Sequence, residues 1–233
     1  MKQIFTELLF PRRCPVCDDI VVPWGALCCD KCKGKFKYLG ENYCMKCGKG
    51  LSGPEKEYCG DCRKYSHGFE RGRSLYQYES AAGSIYRFKY QGRQEYADFF
   101  AEELYRYLGK DIRAMRAEAI IPVPLHKSRL KERGYNQAAV LARALSKRCM
   151  VPVREDLTVR CKKTIPQKQL NYAERQNNLK KAFKICANDV KLNTVIILDD
   201  IYTTGSTVDA LSEVLLSKGV KRVFVITLAA GVE

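Results

Sequence analysis

Two carboxylates stand shortly before a turn that is rich in hydroxyl groups. Asp199 and Asp200 follow the apolar run 195–198. The turn that comes next contains Thr203, Thr204, Gly205, Ser206 and Thr207. Apolar residues then recur at helical spacing, so the pattern predicts a buried strand, a turn and a helix whose first backbone N–H groups are free. Because such a turn can bind phosphate, and the acids can bind paired hydroxyls, the stretch predicts a site for a phosphorylated ribose.

These residues resemble the phosphoribosyl pyrophosphate (PRPP) motif of type I phosphoribosyltransferases. The resemblance implies that the acids hold the ribose hydroxyls, that the turn holds the 5-phosphate, and that magnesium binds together with PRPP. A buried strand that ends in a helix-capping Asp, with no ligand, is the alternative interpretation. A Walker B interpretation fails, because no Gly-x-x-x-x-Gly-Lys-Ser/Thr occurs in the chain.

Nine of the twelve cysteines lie in residues 14–62, and most of them form Cys-x-x-Cys pairs. The pairs are Cys14/Cys17, Cys29/Cys32, Cys44/Cys47 and Cys59/Cys62. The first two pairs recur 30 positions later, and 11 residues separate the pairs within each copy. This is the layout of two knuckles around one tetrahedral zinc. The duplication therefore predicts two zinc ribbons, although an iron–sulfur cluster uses the same four thiolates.

The cysteine spacing leaves the pairing of the ligands open. Ligation within each copy is the simpler arrangement, but joining Cys14/Cys17 to Cys44/Cys47 in a cross-braced site fits the spacing equally well. Few long apolar runs occur in this segment, so its fold is expected to depend on the metal.

Four other cysteines and one histidine have no predicted role in metal binding. Cys28 aligns with Tyr58 of the second copy and is predicted to be a spare thiol. His67 lies outside the repeat and is predicted to be a surface or hinge residue. The isolated cysteines are predicted to be small buried apolar residues. They are Cys149, Cys161 and Cys186.

Strands and helices alternate after the cysteine-rich segment, which predicts an α/β fold with a parallel sheet flanked by helices. We predict a double zinc ribbon domain at 1–67 and a phosphoribosyltransferase-like domain at 68–233. The predicted strands are 74–78, 119–123, 151–154, 195–198 and 222–228. A helix within 86–108 is predicted to end at Gly109, and another to span 138–148. The aromatic stripe of the first helix is predicted to pack in the core rather than stack on bases.

A basic loop, 124–137, follows the predicted strand 119–123. Its candidate ligand-binding residues are His126, Lys127, Arg129 and Arg133. Ligands of open parallel sheets gather beyond the carboxyl ends of the strands, so this loop and the 199–207 stretch are expected to converge. The cations of the loop would then steady pyrophosphate as it leaves the sugar.

Further motifs are spread along the chain in a fixed order. They are Pro122-Val123-Pro124-Leu125, Arg129, Arg133-Gly134-Tyr135-Asn136-Gln137, Gln167, Leu170, Arg175, Asn178 and Phe183. Together with the ribbons and the PRPP motif, they resemble the ComF family of phosphoribosyltransferase-like proteins, which includes the GntX proteins. The resemblance implies a type I phosphoribosyltransferase fold and a role in DNA uptake during natural transformation. It also implies other competence proteins as partners, such as the helicase of the ComF operon.

The formal charge of +15 is concentrated in one part of the chain. Residues 127–184 contain sixteen Lys and Arg against four Asp and Glu, a net charge of +12. With the resemblance, this charge predicts binding of single-stranded DNA, although a solvated face or residues that serve only pyrophosphate are alternatives. Tyr135 and Tyr172 could stack on bases or pack against the sheet. The predicted DNA contacts are Lys162, Lys163, Arg175, Lys180 and Lys181.

Two functions stay open at this point. The protein is either an enzyme that transfers a phosphoribosyl group to an unidentified nucleophile, or a DNA-binding protein of the transformation apparatus. No residue is an obvious general base. No apolar run approaches the roughly 20 residues that cross a bilayer, and no signal peptide is evident, so we expect a cytoplasmic protein without membrane insertion.

Overall fold

The computed structural model describes residues 11–161, 182–186 and 191–233. The strands are β1 (Arg71–Gln77), β2 (Ala119–Pro122), β3 (Thr158–Arg160), β4 (Phe183–Ile185), β5 (Thr194–Tyr202) and β6 (Arg222–Ala230). The helices are α1 (Gly60–Lys64), α2 (Tyr78–Tyr90), α3 (Tyr96–Ala114), α4 (Lys127–Arg133), α5 (Gln137–Cys149) and α6 (Ser206–Leu216).

Four strands form a parallel sheet in the order β1-β6-β5-β2. The central pair, β5 and β6, is buried almost throughout, which explains why the run 195–198 shows no polar alternation. Side chains alternate between two cores, so that Ile196 faces α3 and α5 while Ile197 faces α6. The predicted α/β fold with a parallel sheet and flanking helices is therefore confirmed.

The aromatic stripe of α3 packs in the first of these cores, as predicted. Tyr96, Phe100 and Leu104 are fully buried, and Phe100 meets Phe88 of α2 edge to face. Tyr107 is the exception: it is exposed and stacks on Tyr38 of the chain segment between the ribbons. The stripe therefore fixes α2 and α3 on one face of the sheet.

Three predicted elements differ from the structure. The single helix predicted within 86–108 is two helices, α2 and α3, which are separated by residues 91–95. Helix α3 does not end at Gly109 but runs on to Ala114, because Ile112 and Met115 continue its buried face. The predicted strand at 151–154 is a single parallel bridge between Val153 and Ile120. Pro152 has no N–H to donate, so a regular ladder cannot form there.

The predicted loop at 124–137 contains a helix, α4. It begins after His126, whose Nδ1 accepts a hydrogen bond from the Ser128 N–H at 3.3 Å, and ends at Gly134 in the left-handed conformation (φ 80°). Strands β3 and β4, which were not predicted, form a small antiparallel sheet. Cys161 and Cys186 flank it and are exposed, contrary to the prediction for the isolated cysteines, and Cys149 is half-buried.

The first ribbon is attached to α2 and α3. Arg93 forms an ion pair with Asp18 at 2.9 Å, and the Tyr96 hydroxyl donates to the same carboxylate at 2.6 Å. Arg87 donates to the carbonyl oxygens of Pro15 and Val16 at 3.0 and 3.1 Å. These contacts hold the ribbon against the helical layer.

The second ribbon packs against β1 and the residues after β6. A Cβ on Gly48 would lie 2.6 Å from the Cα of Arg73, so the two backbones touch. The Gly50 N–H donates to Gly231 O at 3.2 Å, and the Gly60 N–H donates to the Glu233 carboxylate at 2.9 Å. Cys47 and Cys59 of this ribbon belong to the same buried cluster as β5 and α6. The domain boundary at 67/68 stays a prediction.

No helix within the described ranges has the length and the apolar character that crossing a membrane requires.

Candidate functional site

The eight predicted metal ligands form two clusters, one in each copy of the repeat. In each cluster the four sulfur atoms lie within 4.8 Å of one another. The Cys47 and Cys59 sulfurs are 3.7 Å apart, which matches the roughly 3.8 Å expected between two thiolates on a tetrahedral zinc. Ligation is therefore within each copy and not cross-braced. The clusters are Cys14, Cys17, Cys29, Cys32 and Cys44, Cys47, Cys59, Cys62.

The two four-cysteine clusters fit two structural zinc ions. Each offers four thiolates and no open position for substrate, which is the donor set of a closed structural site. Cys28 lies outside the first set of four, as predicted, although its sulfur is buried and 3.7 Å from that of Cys14. Zinc would cross-link the two knuckles of each ribbon.

The PRPP-like stretch forms the carboxyl end of β5 and the start of α6. Strand β5 is longer than predicted and includes both Asp199 and Asp200. The turn bends at Gly205, which has a φ of 82°, and a Cβ there would lie 2.4 Å from the Tyr202 hydroxyl. Only glycine fits this position. Helix α6 then begins at Ser206, after a residue that has no side chain, so the N-cap makes no side-chain hydrogen bond to the first backbone N–H groups of the helix.

The hydroxyl groups of the turn differ in exposure. Thr203 is exposed, Thr204 and Thr207 are partly exposed, and Ser206 is buried. The Thr204 and Ser206 hydroxyls are hydrogen-bonded to each other at 2.9 Å. A ligand phosphate would therefore meet the threonines first.

The two acids of the motif have different surroundings. Asp200 is buried, and its carboxylate forms an ion pair with Lys89 Nζ at 2.7 Å and accepts a hydrogen bond from Gln137 Nε2 at 2.7 Å. Lys89 comes from α2 and Gln137 from α5. Asp200 therefore joins two helices to the sheet, and both of its oxygens already have partners within the protein.

Asp199 is the acid that is accessible to a ligand. It is partly exposed, and one of its oxygens accepts the Asp200 N–H at 2.9 Å. Burial and the neighbouring Asp200 carboxylate raise the pKa of Asp199 to about 7. A cation or a hydroxyl donor would stabilise its ionised form, so the site favours a ligand that brings one.

Helix α4 lies at the same end of the sheet as the two acids. Strands β2 and β5 pair in parallel, and the Val123 N–H donates to Leu198 O at 2.9 Å, so the basic segment begins beside Asp199. Lys127 is exposed and Arg129 partly exposed. Arg133 is engaged within the protein, donating to Gln137 Oε1 and to the Tyr90 hydroxyl, each at 2.8 Å. The predicted convergence of the two segments is thus present in the structure.

Two cations of this region were missed in the sequence. Lys89 reaches Asp200 from α2, and Arg160 of β3 lies within electrostatic range of both Arg129 and Asp199. Burial is the main cause that lowers the pKa of Arg160. Neither residue stands at a motif spacing. Only the basic character of residues 127–184 could have suggested Arg160.

The prediction for His67 is wrong. Its side chain is buried, and Nδ1 lies 2.8 Å from Asp209 Oδ2 in the first turn of α6. The N–H of Gly68 donates to the other oxygen of this carboxylate at 3.1 Å. The segment that follows the second ribbon is thereby fixed against the first turn of α6. His67 belongs to neither cysteine cluster, as its position outside the repeat indicated.

The five predicted DNA contacts lie outside the described residues, as do Tyr172 and several of the ordered motif positions. They are Lys162, Lys163, Arg175, Lys180 and Lys181. Tyr135 is described: its hydroxyl donates to the carbonyl of Phe88, and its ring packs near that of Phe88. Of the two roles considered for Tyr135, packing is therefore the one observed.

Comparison with known proteins agrees with this architecture. Residues 5–63 match the family described as double zinc ribbon domain. The chain is 33% identical over 207 residues to competence protein F of Haemophilus influenzae, covering 86% of this chain and 89% of that protein. The chain belongs to the ComF family.

Other ComF relatives extend over a similar part of the chain. Competence protein ComFC of Bacillus subtilis is 29% identical over 232 residues, which cover 88% of this chain and 89% of the relative. The DNA utilization protein YhgH of Escherichia coli (strain K12) is 28% identical over 203 residues, covering 84% and 86%. These alignments therefore extend well beyond the residues 5–63 that match the double zinc ribbon domain.

Proposed function

We propose that this ComF protein supports DNA uptake in natural transformation. In this proposal it binds PRPP with Mg²⁺ at the 199–207 site of a phosphoribosyltransferase-like domain, and single-stranded DNA on the basic face of 127–184. The names of its relatives, which refer to competence and to DNA utilization, support the process. The cytoplasm is the compartment in which PRPP and incoming DNA would meet.

One observation supports the assignment of PRPP as the ligand: Asp199 lies beside the turn at Gly205, and helix α4 lies at the same end of the sheet. The turn offers backbone N–H groups and threonine hydroxyls to a 5-phosphate. Asp199 can accept a ribose hydroxyl, while Lys127 and Arg129 can approach the pyrophosphate. Mg²⁺ bound with PRPP would neutralise part of the pyrophosphate charge.

Removing the Asp199 carboxylate is expected to weaken PRPP binding about 10-fold to 100-fold. One charge-assisted hydrogen bond contributes roughly 1.5–3 kcal/mol, and Asp199→Ala would lose it. Isothermal titration calorimetry with PRPP and Mg²⁺ measures the change. Asp156→Ala is the matched control, because this carboxylate is exposed and forms its ion pair with its near neighbour Arg154, at 2.8 Å. An unchanged affinity in folded Asp199→Ala protein would refute the assignment.

A second candidate function, phosphoribosyl transfer, is favoured by the ionisation of Asp199. In the ligand-free protein, a carboxyl with a pKa of about 7 can exchange a proton near neutral pH, as a general base must. A ligand hydroxyl that donates to Asp199 would lower this pKa. Pyrophosphate release should be measured with PRPP and a panel of nucleobases and amines. Release that requires an added nucleophile and is lost in Asp199→Ala would establish an enzyme. PRPP binding without release would leave a binding protein.

The proposed binding of single-stranded DNA predicts an affinity that depends strongly on salt concentration. Each phosphate neutralised on a single strand contributes a slope of roughly −0.7 in log affinity against log salt, so five contacts give about −3.5. Changing Lys162, Lys163, Lys180 and Lys181 to Glu should flatten this slope and leave PRPP affinity largely intact, as measured by fluorescence anisotropy. Four exposed lysines elsewhere provide a control with the same charge change. They are Lys31, Lys35, Lys218 and Lys221.

If the control variant flattens the slope as much as the test variant, the assignment to 127–184 is wrong. A salt-independent affinity would exclude the phosphate contacts themselves.

A further inference from the structure

Helix α2 presents two exposed tyrosines one turn apart. Tyr86 is 56% exposed and Tyr90 is 50% exposed, and their ring centroids are 5.1 Å apart. The guanidinium of Arg133, from α4, lies 4.5 Å from the centroid of the Tyr90 ring. The three side chains therefore form one surface of aromatic rings and a delocalised cation, here named the tyrosine platform.

The tyrosine platform is continuous with the candidate PRPP site. Arg133 donates to Gln137, Gln137 donates to Asp200, and Asp200 forms its ion pair with Lys89. Lys89 directly precedes Tyr90 in α2. Two hydrogen bonds through Gln137 thus connect Arg133 with Asp200. Together with the ion pair between Asp200 and Lys89, they fix the position of α2 relative to α4.

We propose that Tyr86, Tyr90 and Arg133 form a stacking surface for the nucleobases of single-stranded DNA. This inference rests on the proposed function, and it adds contacts to bases where the +12 charge supplies only contacts to phosphates. Aromatic rings accept any base, because every base has a π-face, and an arginine plane adds a cation–π contribution. Helix α4, which supplies Arg133, also carries the exposed Lys127 and Lys131, and these cations suit a polyanion better than the apolar face of a protein.

The experiment compares two oligomers of about 20 units, a length that exceeds the usual site size. One is an oligothymidylate and the other is an abasic strand with the same number of phosphates. Tyr86→Ala combined with Tyr90→Ala should lower the affinity for oligothymidylate by about 30-fold or more, since each lost stack contributes a factor of about five or more. Affinity for the abasic strand, and the slope of log affinity against log salt, should stay unchanged.

Conservative variants separate ring stacking from other effects. Replacing both tyrosines with Phe keeps the rings and should keep the preference for oligothymidylate. Tyr58→Ala is the matched control, since Tyr58 is a 44% exposed tyrosine on the second ribbon. Circular dichroism and thermal unfolding of the double alanine variant report whether its fold is retained.

The outcomes distinguish the inference from the proposed function. If folded Tyr86→Ala, Tyr90→Ala protein binds oligothymidylate as the unchanged protein does, the tyrosine platform is wrong and DNA binding stands. Equal loss of affinity for both oligomers also overturns the platform, because the bases would then make no separate contribution. If the unchanged protein binds neither oligomer, both proposals fail.

Discussion

Cys59→Ser is expected to reduce the zinc content from two ions per chain to one and to unfold the second ribbon. Cys59 is buried in a cluster of four thiolates, and a structural zinc contributes apparent binding free energies of roughly 10–16 kcal/mol in zinc-finger peptides. The loss should also lower the thermal stability of the α/β sheet, because Cys47 and Cys59 pack with β5 and α6. Elemental analysis and thermal unfolding measure the two effects.

The first ribbon provides the comparison. Cys29→Ser should also remove one zinc, but its cluster packs mainly within its own ribbon, so the sheet should lose less stability. Cys161→Ser is the matched control, since Cys161 is exposed and belongs to neither cluster. Loss of both metals in either variant would contradict independent sites. An iron–sulfur absorption band in freshly purified protein would contradict zinc itself.

Asp200→Ala is expected to destabilise the fold by about 3–5 kcal/mol, the usual cost of leaving the partner of a buried ion pair unpaired. That partner is Lys89, whose side chain is only 15% exposed, and Gln137 would lose its acceptor as well. In a chain of this length the thermal midpoint should fall by about 10 °C. Urea unfolding of the variant, with and without Lys89→Met, measures the effect.

Asp199→Asn is the control for that prediction. In the folded protein the pKa of Asp199 is about 7, above the ordinary value of 3.8. Because the folded-state pKa is raised, ionisation of Asp199 lowers the stability of the fold as the pH rises from about 4 to about 7. At pH 8 its removal should therefore be neutral or stabilising. Adding Lys89→Met should recover part of the stability that Asp200→Ala loses. Equal destabilisation by Asp199→Asn and Asp200→Ala would contradict the division of roles between the two acids.

Local sequence patterns were sufficient to predict the two ribbons and the strand and turn that frame the candidate site. The 30-residue repeat of cysteine pairs identifies the eight zinc ligands, because a zinc site needs only four suitable donors. The repeat does not determine which pairs share one zinc ion. The run 195–198 and the glycine at 205 likewise determine a strand and a turn within a few residues. These features depend on neighbours in the chain, which a sequence displays directly.

The unpredicted features depend on contacts between distant residues. Nothing near Asp200 in sequence indicates that Lys89 neutralises it, so the two acids looked equivalent. His67 looked like a surface residue because its partner, Asp209, lies 142 positions further along the chain. Gly109 suggested a helix end, but the buried residues beyond it outweigh the roughly 1 kcal/mol that glycine costs inside a helix.

The position of β6 has a consequence for the order in which the protein is made. Arg71 of β1 pairs with Phe224 of β6, and among the described strands β6 is the one neighbour of β1. Strand β1 therefore leaves the ribosome long before the strand with which it pairs. Until then the second ribbon, which touches β1 at Gly48 and Gly72, has no completed surface on which to dock. Closing such long loops is slow and costs entropy. Metal capture can thus precede translation of the α/β domain, whereas the sheet closes only after β6 has been translated.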